Sequence, residues 1–211
     1  MRNLSFIDQF FVEVDEAVRT LTVNKTVGRS RPDKKYSDDH MTLQTKALSG
    51  KLIRVNHCGE VCAQALYRGQ RFISKDKRIK DFMEEAASEE TEHLAWCESR
   101  LKELNTKTSI LNPVFYAASF ASGILAGIAG DKFSLGFVAE TEKQVVKHLD
   151  KHLSLLPEED IKSRVILEEM KKQEEGHKES AVANGGKKLP KEIRRIMSTL
   201  SKVMTKTTYW I

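Results

Sequence analysis

The motif Glu-x-x-His occurs twice in this chain, as Glu90 with His93 and as Glu174 with His177. On an α-helix, residues three apart lie on one face, so each pair directs a carboxylate and an imidazole toward the same point. A single copy is a weak indication, because a chain of this composition can contain it by chance. Two copies become informative through the residues that surround them.

Both motifs lie within the apolar stripe of a predicted amphipathic helix. Steps of three and four residues give the series Met83, Ala86, Glu90, His93, Cys97 and the series Leu167, Met170, Glu174, His177, Ala181. Other nearby glutamates fall off these stripes and are predicted to lie on a solvated face, namely Glu85, Glu89, Glu92, Glu168 and Glu175. A carboxylate in a core costs on the order of several kcal/mol unless it is paired or bound to a metal. Neither stripe contains a lysine or arginine that could pair with it.

Two further predicted helices each place one glutamate on an apolar stripe. The series are Ile53, His57, Glu60, Ala63, Tyr67 and Val138, Glu142, Val145, Leu149. Glu60 precedes Glu90 by 30 residues, and Glu142 precedes Glu174 by 32. The pattern indicates two copies of one helical hairpin, with a lone Glu on the first helix and Glu-x-x-His on the second.

The four glutamates on these stripes would carry a charge of −4, which two divalent cations would cancel. Mixed oxygen and nitrogen donors that include bridging carboxylates favour iron or manganese over zinc or calcium. One Glu from each of two helices, with Glu-x-x-His from each of the other two, is the ligand set of ferritin-like di-iron bundles. The alternative is four isolated acids, on the surface or in salt bridges, that align by chance.

Length and composition favour a single all-α domain, with two domains as the alternative. A chain of 211 residues can bury about 70% of its unfolded surface in one core. With four prolines and little strand-like alternation, long helices are expected. We therefore predict a ferritin-like four-helix bundle over residues 45–185, built from two helical hairpins. Its helices are expected at 45–74, 77–104, 132–155 and 158–183, and Pro157 is expected to open the fourth.

Segments on either side of the bundle are predicted to add two helices. Residues 1–44 should comprise an amphipathic helix at 3–21 and a polar linker of low order. One side of that helix is apolar: Phe6, Phe10, Phe11, Val14 and Val18. Residues 186–211 should form a basic amphipathic helix.

Between the two hairpins, no charged residue occurs from Thr108 to Gly130. As a helix, this segment would reach about 34 Å, enough for a bilayer core. A span would separate the two halves of the predicted metal site, so we expect a crossover helix at 110–130 that dips an apolar face into one leaflet. A crossover buried in a soluble bundle is the alternative. Gly123-x-x-x-Gly127 permits close helix contact and is a weak indication of a dimer interface.

The C-terminal segment combines an apolar stripe with basic flanks. The stripe comprises Ile193, Ile196, Met197, Leu200, Val203 and Met204, and the flanks comprise Lys187, Lys188, Lys191, Arg194, Arg195, Lys202 and Lys206. Such a helix suits an anionic lipid surface, and an ordinary docked terminal helix is the alternative. The net charge of +5 is a mild excess, and the basic residues do not alternate with exposed aromatics. Nucleic-acid binding is therefore not expected.

The cysteines and the N-terminal segment limit the cellular compartments in which the protein is expected. Cys58, Cys62 and Cys97 form neither a C-x-x-C pair nor a disulfide framework. We interpret Cys58 and Cys62 as small buried thiols, and a reducing compartment is favoured. The N-terminal segment has neither the apolar run of a signal peptide nor the arginine-rich character of a transit peptide, so the protein is expected to stay where it is made.

Four stretches of the chain resemble one known family: VNHCGEVCAQALYRGQ, EETEHLAWC, GDKFSLGFVAETEKQVVKHL and EEGH. Over about residues 45–211 they follow the order and spacing of the demethoxyubiquinone (demethoxyubiquinol) hydroxylases of coenzyme Q biosynthesis. The resemblance implies a ferritin-like bundle with two iron ions, O₂ as co-substrate and external electrons. It also implies ring hydroxylation of a polyprenylated quinol by a peripheral membrane protein. Because the presequence of mitochondrial members is lacking, we expect the cytoplasmic face of a bacterial inner membrane.

The resemblance places the iron ligands at the six positions that the stripes select: Glu60, Glu90, His93, Glu142, Glu174 and His177. By hypothesis, Glu90 and Glu174 bridge the two ions, and Glu60 and Glu142 are terminal ligands. Expected partners are the quinol substrate and the membrane surface, with a homodimer, a lipid-binding protein and a ubiquinone-biosynthesis complex as further candidates.

Three other residues are candidates for supporting roles. His57 lies one turn before Glu60 and is placed to hydrogen-bond it, with a satisfied core histidine as the alternative. His148 is a candidate partner for a ligand or the substrate. Tyr67 either gates the pocket or packs in the core.

Three other functions fit part of the pattern. A ferritin-like iron oxidase would share the six ligands but does not need an uncharged crossover. A radical-generating di-iron subunit would need a tyrosine near the metals, and Tyr67 is the one placed for it. A non-enzymatic quinone-binding scaffold would tolerate loss of the ligands.

Overall fold

The computed structural model describes residues 5–22 and 29–211. Its helices are α1 Phe6–Thr22, α2 Leu43–Ile73, α3 Lys77–Glu103, α4 Asn112–Ile128, α5 Asp131–Leu155, α6 Ile161–Ala183 and α7 Lys191–Thr208. Helices α2 with α3 and α5 with α6 form the two hairpins of the bundle, and α4 crosses between them. The all-α class is confirmed within the described residues. Residues 3 and 4 of the predicted first helix, and 23–28 of the predicted linker, lie outside them.

The predicted apolar stripes are the sides that the four bundle helices turn toward one another. All stripe positions of α2, α3 and α6 are buried, and in α5 only Val145 is half-buried. Glu90 and Glu174 therefore lie among fully buried apolar neighbours such as Met83 and Leu167. The bundle thus carries ionisable groups at its centre, where desolvation makes them costly without compensation.

Helix α6 begins later than predicted. The expectation that Pro157 opens this helix is wrong, since the first helical residue is Ile161. Asp160 caps the helix instead, because its Oδ1 accepts a 2.9 Å hydrogen bond from the backbone N–H of Ser163. A carboxylate at this position satisfies a free N–H and suits the positive end of the helix dipole.

The crossover helix α4 packs against α2 through glycines. A Cβ at Gly123 would lie 2.3 Å from the carbonyl oxygen of Leu66, and one at Gly69 would lie 2.2 Å from that of Phe120. Gly127 also faces α2. The two backbones can approach this closely only where side chains are missing. The interpretation of Gly123-x-x-x-Gly127 as a dimer interface is therefore wrong, because these glycines pack within their own chain.

Replacing Gly123 by alanine should destabilise the fold by about 1–3 kcal/mol, because the new methyl group meets rigid backbone rather than a mobile side chain. Urea unfolding followed by circular dichroism measures the change. Gly176→Ala is the matched control, since a Cβ there meets no atom within 4 Å among the described residues. That control should raise stability by about 0.5–1 kcal/mol. Equal midpoints for Gly123→Ala and the wild type would contradict this view of the α2–α4 contact.

Helix α1 packs on the bundle through polar residues together with Ala17 and Leu21. Glu13 is 6% exposed and lies 3.5 Å from Arg68 and 3.7 Å from Arg71 of α2. Thr20 donates a 2.8 Å hydrogen bond to Gln64. The apolar side is exposed: Ile7, Phe10, Phe11, Val14 and Val18. The helix is amphipathic as predicted, but the outer surface of α2 offers arginines, so the acids turn inward. The side chain of Phe6 lies outside the described residues.

The described part of the predicted linker is packed against the bundle. Asp33 is fully buried and pairs with Arg31 at 2.6 Å. Asp38 accepts a 3.0 Å hydrogen bond from Arg100, a fully buried residue of α3. The expectation of low order is wrong for this part, because charge pairs with the bundle hold a segment that has few apolar residues.

Within the described residues, no helix is both long and apolar enough to cross a membrane. Helix α4 nevertheless exposes several large apolar side chains, among them Val114, Leu125 and Ile128. Its other side, which includes Tyr116 and Ala126, is buried against the bundle. The structure therefore contains the predicted crossover helix, and one side of it is buried.

Candidate metal centre

Three carboxylates and one imidazole converge at the centre of the bundle. Glu60 comes from α2, Glu90 and His93 from α3, and Glu174 from α6, and all four are buried. Each offers one ligand atom, and these atoms lie within 4.8 Å of one another. The cluster could therefore hold a metal ion. It forms because each residue occupies the inward side of its own helix.

Both motif histidines face both motif glutamates. His93 Nδ1 lies 3.1 Å from Glu90 Oε2 and 3.1 Å from Glu174 Oε1. His177 Nδ1 lies 3.0 Å from Glu174 Oε2 and 3.3 Å from Glu90 Oε1. Each of these carboxylates thus turns one oxygen toward each imidazole. This is the disposition that a carboxylate needs to bridge two metal ions.

Glu142 lies beside this cluster on α5. Its buried carboxylate accepts a 2.6 Å hydrogen bond from the hydroxyl of Tyr67. It is not one of the four groups with mutually close ligand atoms, although Glu174, Glu90 and His177 act on it electrostatically. The structure therefore brings five of the six predicted ligands into direct proximity and leaves Glu142 next to them. Tyr67 is fully buried, so it packs in the core and also orients Glu142.

The pKa values reflect the crowding of negative charge. Burial raises the pKa of Glu60 well above its ordinary value, and the charge of Glu90 adds to this. Burial also raises the pKa of Glu142, with Glu174 adding to it. For His177, burial lowers the pKa, but hydrogen bonds to Glu174 and Glu90 outweigh it and raise the pKa to about 12. The centre therefore stabilises positive charge, which is what a metal ion would provide.

Two residues that the sequence analysis did not select hold the outer ring nitrogens of the histidines. His93 Nε2 lies 2.9 Å from Gln173 Oε1, and His177 Nε2 contacts the carboxylate of Glu89. Each partner directly precedes the motif glutamate on the opposite helix, so the contacts cross between α3 and α6. Glu89 lies at the edge of the predicted solvated face, with its side chain 38% exposed, and from there it also reaches His177. The matching positions in the two motifs were the signal that could have identified both residues.

A cavity of about 270 Å³ opens beside the cluster. Its polar end includes Glu60, Glu142 and Glu174. Its walls come from α2, α4, α5 and α7 and are largely apolar, with Leu66, Phe115, Val145, Met197, Leu200 and Met204 among them. Part of the α7 stripe, including Met197 and Met204, thus borders this cavity, while Ile196, Leu200 and Val203 of the same stripe are exposed.

Two histidines near the cavity have different environments. His148 lines the cavity, and its buried Nε2 has no hydrogen-bond partner in the described part of the chain. Its ring lies 3.9 Å from the ring of His152, centroid to centroid, and His152 Nδ1 lies 3.0 Å from Asn56 Oδ1. His57 Nδ1 lies 3.3 Å from the amide nitrogen of Asn112. His57 is thus a core histidine with a partner on α4, and the proposed contact with Glu60 is not the one it makes.

The cysteines are all free thiols. Cys58 and Cys97 are buried, as predicted. Cys62 is only partly buried, because the side of α2 that carries it borders the cavity.

Comparison with known proteins places this chain in a family. A family model described as ubiquinone biosynthesis protein COQ7 matches residues 47–208. The chain belongs to this COQ7 family. Three relatives are each named 3-demethoxyubiquinol 3-hydroxylase and are each 48% identical to this chain over its full length. They come from Legionella pneumophila, Pseudomonas aeruginosa and Nitrosococcus oceani, and the match covers 100%, 98% and 99% of their own lengths.

The resemblance drawn from the sequence motifs is confirmed, and it extends to the N-terminal residues that the motifs did not cover. The donor set of this COQ7-family chain also fits a pair of divalent ions. Glu142 Oε2 is buried and has no hydrogen-bond partner within the described residues. Glu90 Oε1 and Glu174 Oε1 are also buried, and each faces an imidazole nitrogen that already hydrogen-bonds the other motif glutamate. A buried carboxylate oxygen without a partner is costly, and ions at the centre of the cluster would satisfy all three.

Proposed function

We propose that this chain is a 3-demethoxyubiquinol 3-hydroxylase, a di-iron monooxygenase that acts on the ring of a polyprenylated quinol in ubiquinone biosynthesis. The full-length similarity to three hydroxylases of that name supports the proposal. The observation that carries it is the apolar cavity that ends on Glu60, Glu142 and Glu174. A ferritin-like iron oxidase handles hydrated ions and has no use for such a cavity.

Bound iron would supply the reduction of O₂, and the protein would supply the ligands and the positioning of the substrate. In the overall reaction, one oxygen atom enters a ring C–H bond and the other leaves as water, with two electrons from an external donor and two protons. Glu90 and Glu174 would each bind both ions, since each turns one oxygen toward each imidazole. His93 and His177 would each give one nitrogen.

His148 is placed to orient the polar groups of the quinol ring. It lines the cavity and has an unpartnered ring nitrogen. Burial, with a smaller effect of Lys151, lowers its pKa to about 4. The imidazole is therefore neutral at neutral pH and can hydrogen-bond a quinol hydroxyl as donor or acceptor. The apolar walls of the cavity exclude water from the ring.

The isoprenoid tail would enter from a lipid surface, which the exposed apolar side chains of three helices would contact. They are Phe10, Phe11 and Val18 of α1, Val114, Leu125 and Ile128 of α4, and Ile196, Leu200 and Val203 of α7. The basic residues that flank the apolar stripe of α7 suit anionic headgroups. Peripheral membrane binding is thus part of the proposal.

Replacing Leu125, which is 68% exposed, by glutamate should weaken binding to anionic vesicles at least about tenfold. Burying one leucine side chain contributes about 1.5–3 kcal/mol, and a buried carboxylate reverses that gain. Co-sedimentation with vesicles of phosphatidylethanolamine and phosphatidylglycerol measures the bound fraction. Leu43→Glu is the control, because Leu43 is even more exposed (87%) but lies on α2. Equal binding of the Leu125 variant and the wild type would count against α4 as a membrane contact.

The proposed reaction is tested by quinone analysis of cells that lack the protein. Such cells should accumulate the demethoxy intermediate, and the wild-type gene should restore ubiquinone. The Glu90→Ala variant should not restore it, because that glutamate faces both imidazoles. Full restoration by the variant would favour a non-enzymatic quinone-binding scaffold, and the absence of the intermediate would refute the proposed substrate.

A further inference from the structure

We propose that the two metal positions are inequivalent, because the outer nitrogens of their histidines contact different groups. Glu89, a carboxylate, contacts His177, and Gln173, a neutral amide, contacts His93. We infer that the ion beside His177 is held more tightly and that the ion beside His93 leaves first. This inference rests on the di-iron part of the proposed function.

The contact of Gln173 is oriented by its neighbours. Its amide nitrogen donates a 2.7 Å hydrogen bond to Glu169 Oε1, which turns the amide oxygen toward His93. The guanidinium of Arg29 lies 3.4 Å from the same oxygen. That guanidinium is itself paired with Glu92, so the contact on the His93 side is with a neutral acceptor.

The contact of Glu89 differs in charge. Its side chain is 38% exposed and meets His177 Nε2 at the edge of the cluster. Since His177 turns Nδ1 toward Glu90 and Glu174, Nε2 carries the hydrogen that the outer partner accepts when Nδ1 binds a metal. An anionic acceptor makes the imidazole a stronger donor to the metal than a neutral one does. The two positions thus share a ligand type but differ in ligand basicity.

Replacing Glu89 by a neutral side chain and Gln173 by a charged one tests the inference directly. The full chain is loaded anaerobically with two equivalents of Fe²⁺, and iron transfer to a ferrous chelator is followed by absorbance. The wild type should release iron in two phases whose rates differ about 10- to 100-fold, the range that such outer contacts affect. Glu89→Gln should accelerate the slow phase by that factor and leave the fast phase unchanged. Gln173→Glu should slow the fast phase and leave the slow phase unchanged.

Glu85→Gln is the matched control, because Glu85 lines the same acidic groove on α3 as Glu89 but is exposed. It should leave both phases as in the wild type, and circular dichroism should show equal helix content in all variants. A single release phase that no variant changes would overturn the inference while leaving the proposed function intact. An effect of Glu85→Gln equal to that of Glu89→Gln, or equal acceleration of both phases by Glu89→Gln, would also overturn it. Failure of the wild type to bind two irons would instead refute the proposed function.

Discussion

Replacing Glu174 by alanine should reduce hydroxylation at least about 1,000-fold, equivalent to about 4 kcal/mol of activation free energy. The same variant should bind fewer than two irons per chain. Glu174 lies about 3 Å from the Nδ1 atoms of both His93 and His177, so each of its two oxygens faces one imidazole. Its loss therefore removes an oxygen ligand from both metal positions at once.

Iron quantification on anaerobically purified protein and product analysis with a short-chain quinol measure these two effects. Glu175→Ala is the matched control, since this adjacent glutamate falls off the apolar stripe and is only partly buried. The control should keep wild-type iron content and activity. If Glu174→Ala bound two irons and turned over at the wild-type rate, the assignment of the metal centre would be wrong.

Replacing Arg100 by methionine should destabilise the fold by about 3–5 kcal/mol, the cost of leaving a buried charge without its partner. Arg100 is fully buried and donates hydrogen bonds of 2.7 Å to Asp160, 2.9 Å to Ser163 and 3.0 Å to Asp38. Asp160 is also fully buried and caps α6. One guanidinium therefore joins the segment before α2, helix α3 and the start of α6.

Urea unfolding measures this loss, with Lys102→Met as the control on the same helix. Lys102 is exposed and pairs with Glu98, so its replacement should change stability by less than about 1 kcal/mol. Adding Asp160→Asn to Arg100→Met should restore part of the stability, because it removes the uncompensated charge. Equal unfolding midpoints for Arg100→Met and Lys102→Met would mean that the network contributes little.

The helices and the buried positions of the six candidate ligands could be predicted because they follow from periodicity along one chain segment. A stripe with Glu60 or Glu142 among apolar residues can be recognised without knowledge of the fold, since helical spacing alone determines which side chains share a face. The cost of an unpaired buried carboxylate then indicates a cation. Two matching hairpins fix the number of such carboxylates and hence the charge to be neutralised.

Contacts between faces of different helices could not be predicted from helical periodicity. Glu89 and Gln173 lie just outside the stripes, and only the packing of α3 against α6 brings each to the opposite histidine. Gly123 fits a membrane dimer motif equally well, and only its contact with Leu66 assigns it to α2. The sequence also could not show that α1 turns Glu13 inward, because that depends on the arginines of its neighbour.

The sequence by itself determined an all-α chain with four glutamates and two histidines on the inner sides of four helices, because burial and helical period are local properties. Only the tertiary structure decided which oxygen faces which imidazole, which residues hold the outer ring nitrogens and where the apolar cavity meets the cluster. These features depend on the relative rotation and separation of helices that are far apart in the chain, and no local pattern specifies either quantity.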